Sequence, residues 1–220
     1  MIIAIDGPAA TGKSTTAKCI AQKLGFIYLD TGAMYRSVTL AILDAGIDMN
    51  NSGQLKDLLS NIDIDMKIEE GTNKFYLNGR DVSVEIRRPD ITRHVSAVSA
   101  QKDVRLAMVQ NQRKLAKKID CVIEGRDIGT VVFPDAEFKI FLEADLVVRA
   151  ERRLKELHAL DEEKSIEELI KDIERRDTHD ASRKISPLKK AEDAFVIDTT
   201  HLSIDEQVSK ILEIVNIKKT

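Results

Sequence analysis

Met1-Ile2-Ile3-Ala4-Ile5-Asp6-Gly7-Pro8-Ala9-Ala10-Thr11-Gly12-Lys13-Ser14 opens the chain, and Thr15 to Leu24 follows without a break. Gly7 to Ser14 matches the phosphate-binding pattern G-x-x-x-x-G-K-[ST] at every fixed position. The apolar run Ile2–Ile5 before it reads as a buried strand. Behind it, Ala17, Ile20, Ala21 and Leu24 fall at helical spacing, and Gly25 supplies a stop. A strand that ends in a tight glycine-rich loop and opens a helix lets backbone N–H groups surround a phosphate. Gly7, Pro8, Ala9, Ala10, Thr11, Gly12, Lys13, Ser14 and Thr15 are therefore the candidate site for a nucleoside triphosphate. Lys13 is the cation for the transferring phosphates. Ser14 is the hydroxyl for an accompanying Mg²⁺, with Thr15 beside it.

Bulk properties narrow the classes. A chain of 220 residues allows one domain with insertions or two small ones, and 43% hydrophobic residues suffice for a full core. With a net charge of −3, the chain lacks the basic excess expected of a nucleic-acid binder. Cys19 and Cys121 lack metal-type spacing and read as two buried, reduced thiols. The chain starts directly on its first strand, so no signal peptide is expected. No apolar run approaches the ~20 residues of a membrane helix. The expectation is a cytoplasmic protein without nucleic-acid or membrane partners.

Five short apolar runs, Ile2–Ile5, Phe26–Leu29, Cys121–Ile123, Phe138–Leu142 and Phe195–Ile197, read as core strands covered on both faces. Helical patterns lie between them, including Val104, Leu106, Val109 and Leu115, and the Arg-rich Leu146 to Leu157. Ser165-Ile166-Glu167-Glu168 and Ser203-Ile204-Asp205-Glu206 fit capping boxes that open later helices. Strands alternating with helices predict an α/β fold with a five-stranded parallel sheet flanked by helices. One segment departs from that pattern. Ile62 to Ile68 alternates strictly, Glu70-Gly71-Thr72-Asn73 reads as a turn, and Phe75-Tyr76-Leu77 reads as a return strand before Asn78-Gly79. A small antiparallel insert within about 60–85 follows, flanked by helical material and contained in an inserted subdomain over about 30–104.

Further chemistry-bearing residues sit where strands end. Thr31 and Arg36 follow the second strand, at the carboxyl edge where open α/β sheets bind ligands. The planar fork of Arg36 suits an acceptor phosphate, although Asp30 or Thr31 also reads as a plain helix cap. Arg126 and Asp127, between Gly125 and Gly129, suit an arginine for phosphate or base and a carboxylate that organises Mg²⁺. They also read as a pair with one another. Glu174 to Arg183 is dense in charge, with Arg149, Arg152 and Arg153 upstream. Alone such a run is a solvated face. Beside a triphosphate it suits an arginine-bearing element that neutralises the moving phosphoryl group and excludes water. His94, His158, His179 and His201 form no metal-type cluster, and no serine or cysteine nucleophile has a partnered base.

Ile5-Asp6-Gly7-Pro8, Leu29-Asp30-Thr31-Gly32-Ala33-Met34-Tyr35-Arg36 and Gly125-Arg126-Asp127-Ile128-Gly129-Thr130-Val131-Val132-Phe133-Pro134, with the Ala136 to Leu142 strand and Arg176 to Arg183, resemble the bacterial cytidylate kinase family of nucleoside monophosphate kinases. The resemblance spans nearly the whole chain. It implies a P-loop kinase core (1–29 and 105–220), an inserted monophosphate-binding subdomain (30–104) and a short Arg-rich lid near 150–183 that closes with the insert on ligand. It implies phosphoryl transfer from ATP, with Mg²⁺, to CMP or dCMP in pyrimidine metabolism, by a monomer. Carried over by position, Thr31, Tyr35 and Arg36 contact the acceptor nucleotide. Ser96, Arg105, Arg126 and Asp127 read cytosine and phosphate. Arg176 and Asp180 hold the ribose and its 2′-hydroxyl, and Arg183 is a catalytic lid arginine. Lys13, Arg126, Asp127, Arg176 and Arg183 then form the catalytic set. Some relatives carry Arg where this chain has His179 and Ala181, and some carry Gly at the Ser14 position. The residues by themselves reach only a P-loop phosphotransferase. UMP, AMP or shikimate acceptors remain open at that level. A GTP switch lacks its Asn-Lys-x-Asp motif, since Asn73-Lys74-Phe75-Tyr76 fails at the last position.

Overall fold

A computed structural model describes residues 1–69, 72–158 and 164–217. Contacts divide the chain into two compact units, Met1–Leu29 with Lys118–Thr220, and Asp30–Lys117. The Glu70-Gly71 half of the expected turn, and residues 159–163 of the expected lid, lie outside the described residues.

The first unit is built on a five-stranded parallel sheet made of β1 (Ile2–Asp6), β2 (Ile27–Asp30), β6 (Cys121–Glu124), β7 (Phe138–Glu143) and β8 (Phe195–Asp198), in the order β2-β6-β1-β7-β8. β1 lies at the centre, with Ile3 opposite Val122 on one side and Phe138 on the other. That central place explains why its apolar run does not alternate. Ile3, Ala4 and Ile5 are completely buried, each Ile side chain contributing roughly 2–3 kcal/mol of transfer free energy. The chain leaves β1 towards one edge of the sheet and later returns to the other edge, so the reversal of strand order falls beside β1. In open α/β sheets that is where ligands bind.

α1 (Lys13–Leu24) and α8 (Ile204–Ile217) pack together, with Ala17, Ile20, Val208 and Ile211 among the buried contacts. Gly25 ends α1 in the left-handed conformation (φ 69°), its N–H reaching the Ala21 and Gln22 carbonyls. α6 (Leu146–His158) and α7 (Ile166–Ala181) form a second helical pair over Ala150, Leu157, Leu169 and Ile173. Both expected capping boxes are present, Ser165 with Glu168 and Ser203 with Glu206. Among the described residues no helix is long and apolar enough to cross a membrane.

The second unit winds around α2 (Thr31–Asp44), which buries Val38, Leu40 and Ile42. α3 (Ser52–Asn61), α4 (Pro89–Ala100) and α5 (Lys102–Leu115) surround it, with Pro89 pre-set for the first turn of α4. The expected insert is an antiparallel sheet of β3 (Ile64–Glu69), β4 (Thr72–Leu77) and β5 (Arg80–Asp81), joined at Asn78-Gly79 with φ 51° and 79°.

Three expectations change. Phe195 and Val196 are each 43% exposed, because β8 is an edge strand and only Ile197 points into the core. Leu106 is 50% exposed, since the buried face of α5 runs through Val104, Arg105, Met108 and Gln112 instead. Cys19 is only half-buried. Cys121 is fully buried, and burial pushes its thiol up to about 11. At pH 8 the Cys121 thiolate is then about 100-fold scarcer than for an ordinary thiol. Iodoacetamide should label Cys19 in the native protein and Cys121 only after denaturant is added, as read by peptide mass spectrometry. Native labelling of Cys121 at a comparable rate would contradict that burial.

Candidate functional site

β1 ends on Asp6, a carboxylate only 5% exposed. It accepts the backbone N–H groups of Ile128 (2.9 Å) and Gly129 (2.7 Å), fastening the helical turn Ile128–Val132 to the end of the central strand. Burial pushes its pKa up to about 6, with the nearby Asp127 charge adding to the effect and the two N–H groups opposing it. The chain then turns through Gly7 (φ 145°), Ala10 (φ 58°) and Gly12 (φ 91°) before α1 begins. Such alternation of backbone hand turns successive N–H groups towards one concavity.

Lys13 is the first residue of α1 and its side chain folds back over the loop. Nζ donates to the Pro8 carbonyl and to Thr11 Oγ1 (3.3 Å). Burial first, and then the Arg126 guanidinium, hold its pKa well below the ordinary lysine value; Arg176 acts in the same direction, while Glu124 and Asp177 oppose. A polyanion beside this cation would reverse that balance. Ser14 and Thr15 are exposed at the start of α1. Thr16 is buried and donates to Gln207 Oε1 of α8 at 2.8 Å.

Three further groups hold the loop. Thr199, after β8, donates to the Thr11 carbonyl (3.1 Å), and Arg152 of α6 donates to the Thr199 carbonyl (2.6 Å). Burial lowers the pKa of that arginine. Asp177 of α7 accepts the Ala9 N–H at 3.0 Å.

The charge-dense stretch of α7 is not a solvated face throughout. Asp180 is 2% exposed and lies between two guanidinium groups. Arg126 Nε donates to Oδ2 at 3.1 Å, and Arg183 pairs with Oδ1. Arg126 therefore turns to Asp180, not to the adjacent Asp127, which is itself 3% exposed. Removing one member of a buried ionic cluster typically costs about 3–5 kcal/mol, because charge is left uncompensated. Arg176 is half-buried one turn earlier on the helix. Lys13, Arg126, Asp180, Arg183 and Arg176 are thus gathered at the carboxyl edge of the sheet.

The second unit gathers its own set. Asp30 caps α2 by accepting the Ala33 N–H (2.9 Å), and Thr31 is buried next to it. The Arg105 guanidinium lies 5.3 Å from the centre of the Tyr35 ring and donates to the Ser99 carbonyl at 3.2 Å. Ser99 in turn donates to the Ser96 carbonyl (3.1 Å). Arg105 is 2% exposed, an unusual place for an arginine inside a helical core. Arg36 donates to Thr92 Oγ1 (2.7 Å) and to the Ile86 carbonyl (3.4 Å). Tyr35, Ser96 and Arg105 therefore form one connected group, and Arg36 is anchored on Thr92 and Ile86.

Asp6, Asp177, Thr199 and Gln207 were not singled out by sequence reasoning. Asp177 and Thr199 reach the loop, and Gln207 reaches Thr16 of α1, from the far end of the chain, where no local pattern announces them. Asp6 carried a signal: an acidic residue closing an apolar strand before the loop.

A model of the family described as cytidylate kinase matches residues 3–217. The cytidylate kinase of Lactobacillus johnsonii is 50% identical over 219 residues, which is 100% of this chain and 95% of that relative. The cytidylate kinase of Lactobacillus gasseri is 51% identical over the same span and the same shares. That of Bacillus cereus strain B4264 is 50% identical over 214 residues, 97% of this chain and 95% of the relative. Among solved structures, an uncharacterized protein from Eubacterium ventriosum aligns with a TM-score of 0.53 at 14% identity, covering 98% of each chain, a likeness of fold alone. Identity at this level over essentially the whole length includes the phosphate loop, the insert and the arginine-bearing helix together, and the chain belongs to the cytidylate kinase family.

Proposed function

We propose that the protein transfers the γ-phosphate of ATP to CMP or dCMP, giving ADP and CDP or dCDP. The observation that carries the reading is the buried Lys13, held over a left-handed phosphate loop within the field of Arg126 and Arg176. A moving phosphoryl group needs positioning and charge neutralisation more than covalent help, and these cations supply both. Gly7 to Thr15 hold the donor phosphates through backbone N–H groups. In the insert, Thr31, Tyr35, Arg36, Ser96 and Arg105 hold the acceptor nucleotide. In the core, Arg126 and Asp127 serve its base and phosphate, Arg176 and Asp180 its ribose, and Arg183 the transferring group. By the chemistry of their oxygens, the exposed Ser14 hydroxyl and the Asp127 carboxylate would suit a Mg²⁺ ion, which takes hard oxygen ligands alongside phosphates. When bound, the metal withdraws charge from the phosphate oxygens. Action as a monomer in the cytoplasm belongs to the same proposal.

The deciding experiment is coupled ADP release from ATP across the common nucleoside monophosphates. CMP and dCMP should be turned over fastest; faster turnover of AMP or of shikimate would overturn the assignment. Asp180→Ala refines the test, since only CMP carries a 2′-hydroxyl. Its kcat/KM should fall about tenfold further for CMP than for dCMP. Equal losses would remove the ribose role and leave Asp180 as the brace between Arg126 and Arg183.

A further inference from the structure

Ala9, the third residue of the phosphate loop, is gripped by one ion pair at both of its backbone polar groups, which belong to the two peptide units flanking its Cα. Its N–H donates to Asp177 Oδ1 (3.0 Å), and its carbonyl accepts from Arg149 Nη1 (3.2 Å). Arg149 and the other oxygen of Asp177 form an ion pair, and Arg149 Nε donates to the Ala144 carbonyl at 3.1 Å. The two side chains are only 10% and 18% exposed and come from different helices, Arg149 from α6 and Asp177 from α7.

A neutral pair is an odd thing to place against a loop that receives a polyanion, if its purpose were to supply charge. It brings no net charge, although Asp177 is close enough to Lys13 to act on its pKa. What it does supply is direction. With the N–H on one side of its Cα and the C=O on the other both bound, Ala9 is restrained about φ and ψ. The next residue, Ala10, sits in the left-handed region (φ 58°), which an alanine adopts only at a cost of about 1 kcal/mol or more and only when its neighbours impose it. The grip on Ala9 is the constraint on one side of that turn, and the bond from Thr199 to the Thr11 carbonyl is the constraint on the other. Asp177 also lies next in sequence to Arg176, so the same contact ties the loop to the arginine-bearing helix.

We infer that Arg149 and Asp177 are positioning residues for the donor: as a pair they fix the backbone on both sides of Ala9, hold the phosphate loop in its triphosphate-binding shape and couple it to α6 and α7. The inference rests on the kinase reading above, and wild-type turnover of CMP in the same assay tests that reading separately.

The test compares KM for ATP and for CMP in Asp177→Ala, Arg149→Ala and the double variant. Each single variant should raise KM for ATP about 10- to 100-fold, the expected size for losing hydrogen bonds to charged groups, and change KM for CMP less than about threefold. The double variant should be no worse than the poorer single one, because the two side chains hold one residue through one ion pair and losing either partner frees the other. Asp177→Asn keeps an oxygen for the Ala9 N–H but not the charge for Arg149, so it should raise KM for ATP by less, about 3- to 10-fold. That variant also carries the test if the alanine variants do not fold. Arg175→Ala, on a position 81% exposed at its side chain, should leave both constants unchanged. Equal losses for the two substrates, additive effects, or a lower melting temperature with an unchanged KM for ATP would each overturn the inference.

Discussion

Lys13→Ala is expected to lower kcat by about 10³-fold while the protein keeps its helical circular dichroism. The magnitude is that of removing a preorganised charge that acts on a group in transit. The fold should survive because Lys13 gives up bonds only to the Pro8 carbonyl and Thr11 Oγ1, and Thr11 Oγ1 keeps its own bond to Pro8 at 3.2 Å. Taking a buried cation out of the reach of Arg126 and Arg176 even relieves some repulsion. A second readout follows from the direction of its pKa. Burial and the neighbouring arginines hold the lysine below its ordinary value, and a triphosphate pushes it back up. Near pH 9 the wild-type protein should therefore take up protons on binding ATP, and Lys13→Ala should take up fewer. Calorimetry in two buffers of different ionisation enthalpy measures the difference. A variant that retains kcat within tenfold, or binds ATP with the same proton uptake, would remove Lys13 from its role.

Gly7→Ala should cost about 3–5 kcal/mol of stability, lower the melting temperature by roughly 10 °C and abolish ATP binding. Two independent reasons act at one position. The backbone there has φ 145°, which side-chain-bearing residues rarely adopt. A Cβ would also stand 2.2 Å from the Leu142 carbonyl oxygen, on β7, a neighbour of the central strand. A flexible side chain would move aside, but a carbonyl inside a sheet cannot move without breaking the ladder on both sides. Thermal unfolding followed at 222 nm checks this. A melting temperature within 2 °C of wild type would show that the loop has another conformation open to it.

Much of this architecture was legible in the sequence, for reasons that differ by element. Ile2–Ile5 and Cys121–Ile123 could be read because strands buried on both faces leave unbroken apolar runs. Ile62–Ile68 could be read because a sheet with one wet face leaves alternation. β5 could not, since Arg80 and Asp81 are two exposed charged residues whose pairing with Leu77 and Tyr76 follows from the Asn78-Gly79 turn alone. In the candidate site, the glycines and Lys13 were legible because the geometry of a phosphate cradle demands those residue types at a fixed spacing. The supports were not. Asp177 and Thr199 each use a generic side chain to reach the loop across 168 and 188 residues. Asp180 was named only through the family resemblance, for a ribose, and its structural place was hidden differently. In sequence it is one charge among many, and only the helix orientation shows that it is buried between Arg126 and Arg183 while Arg175 faces solvent.

The order of strands in the core sheet has a consequence for how the chain is made. β1 and β2 leave the ribosome before the other strands of their sheet, and the two partners of β1, β6 and β7, follow only after the whole of Asp30–Lys117. During synthesis the most apolar strand of the protein is therefore without its neighbours, while the intervening segment, whose sheet and helices pair among themselves, is already complete. The contiguous unit is free to fold early through short-range contacts, whereas the nucleotide-binding core waits for a late, long-range closure. In the interval the nascent protein depends on whatever shields Ile2–Ile5 from other chains.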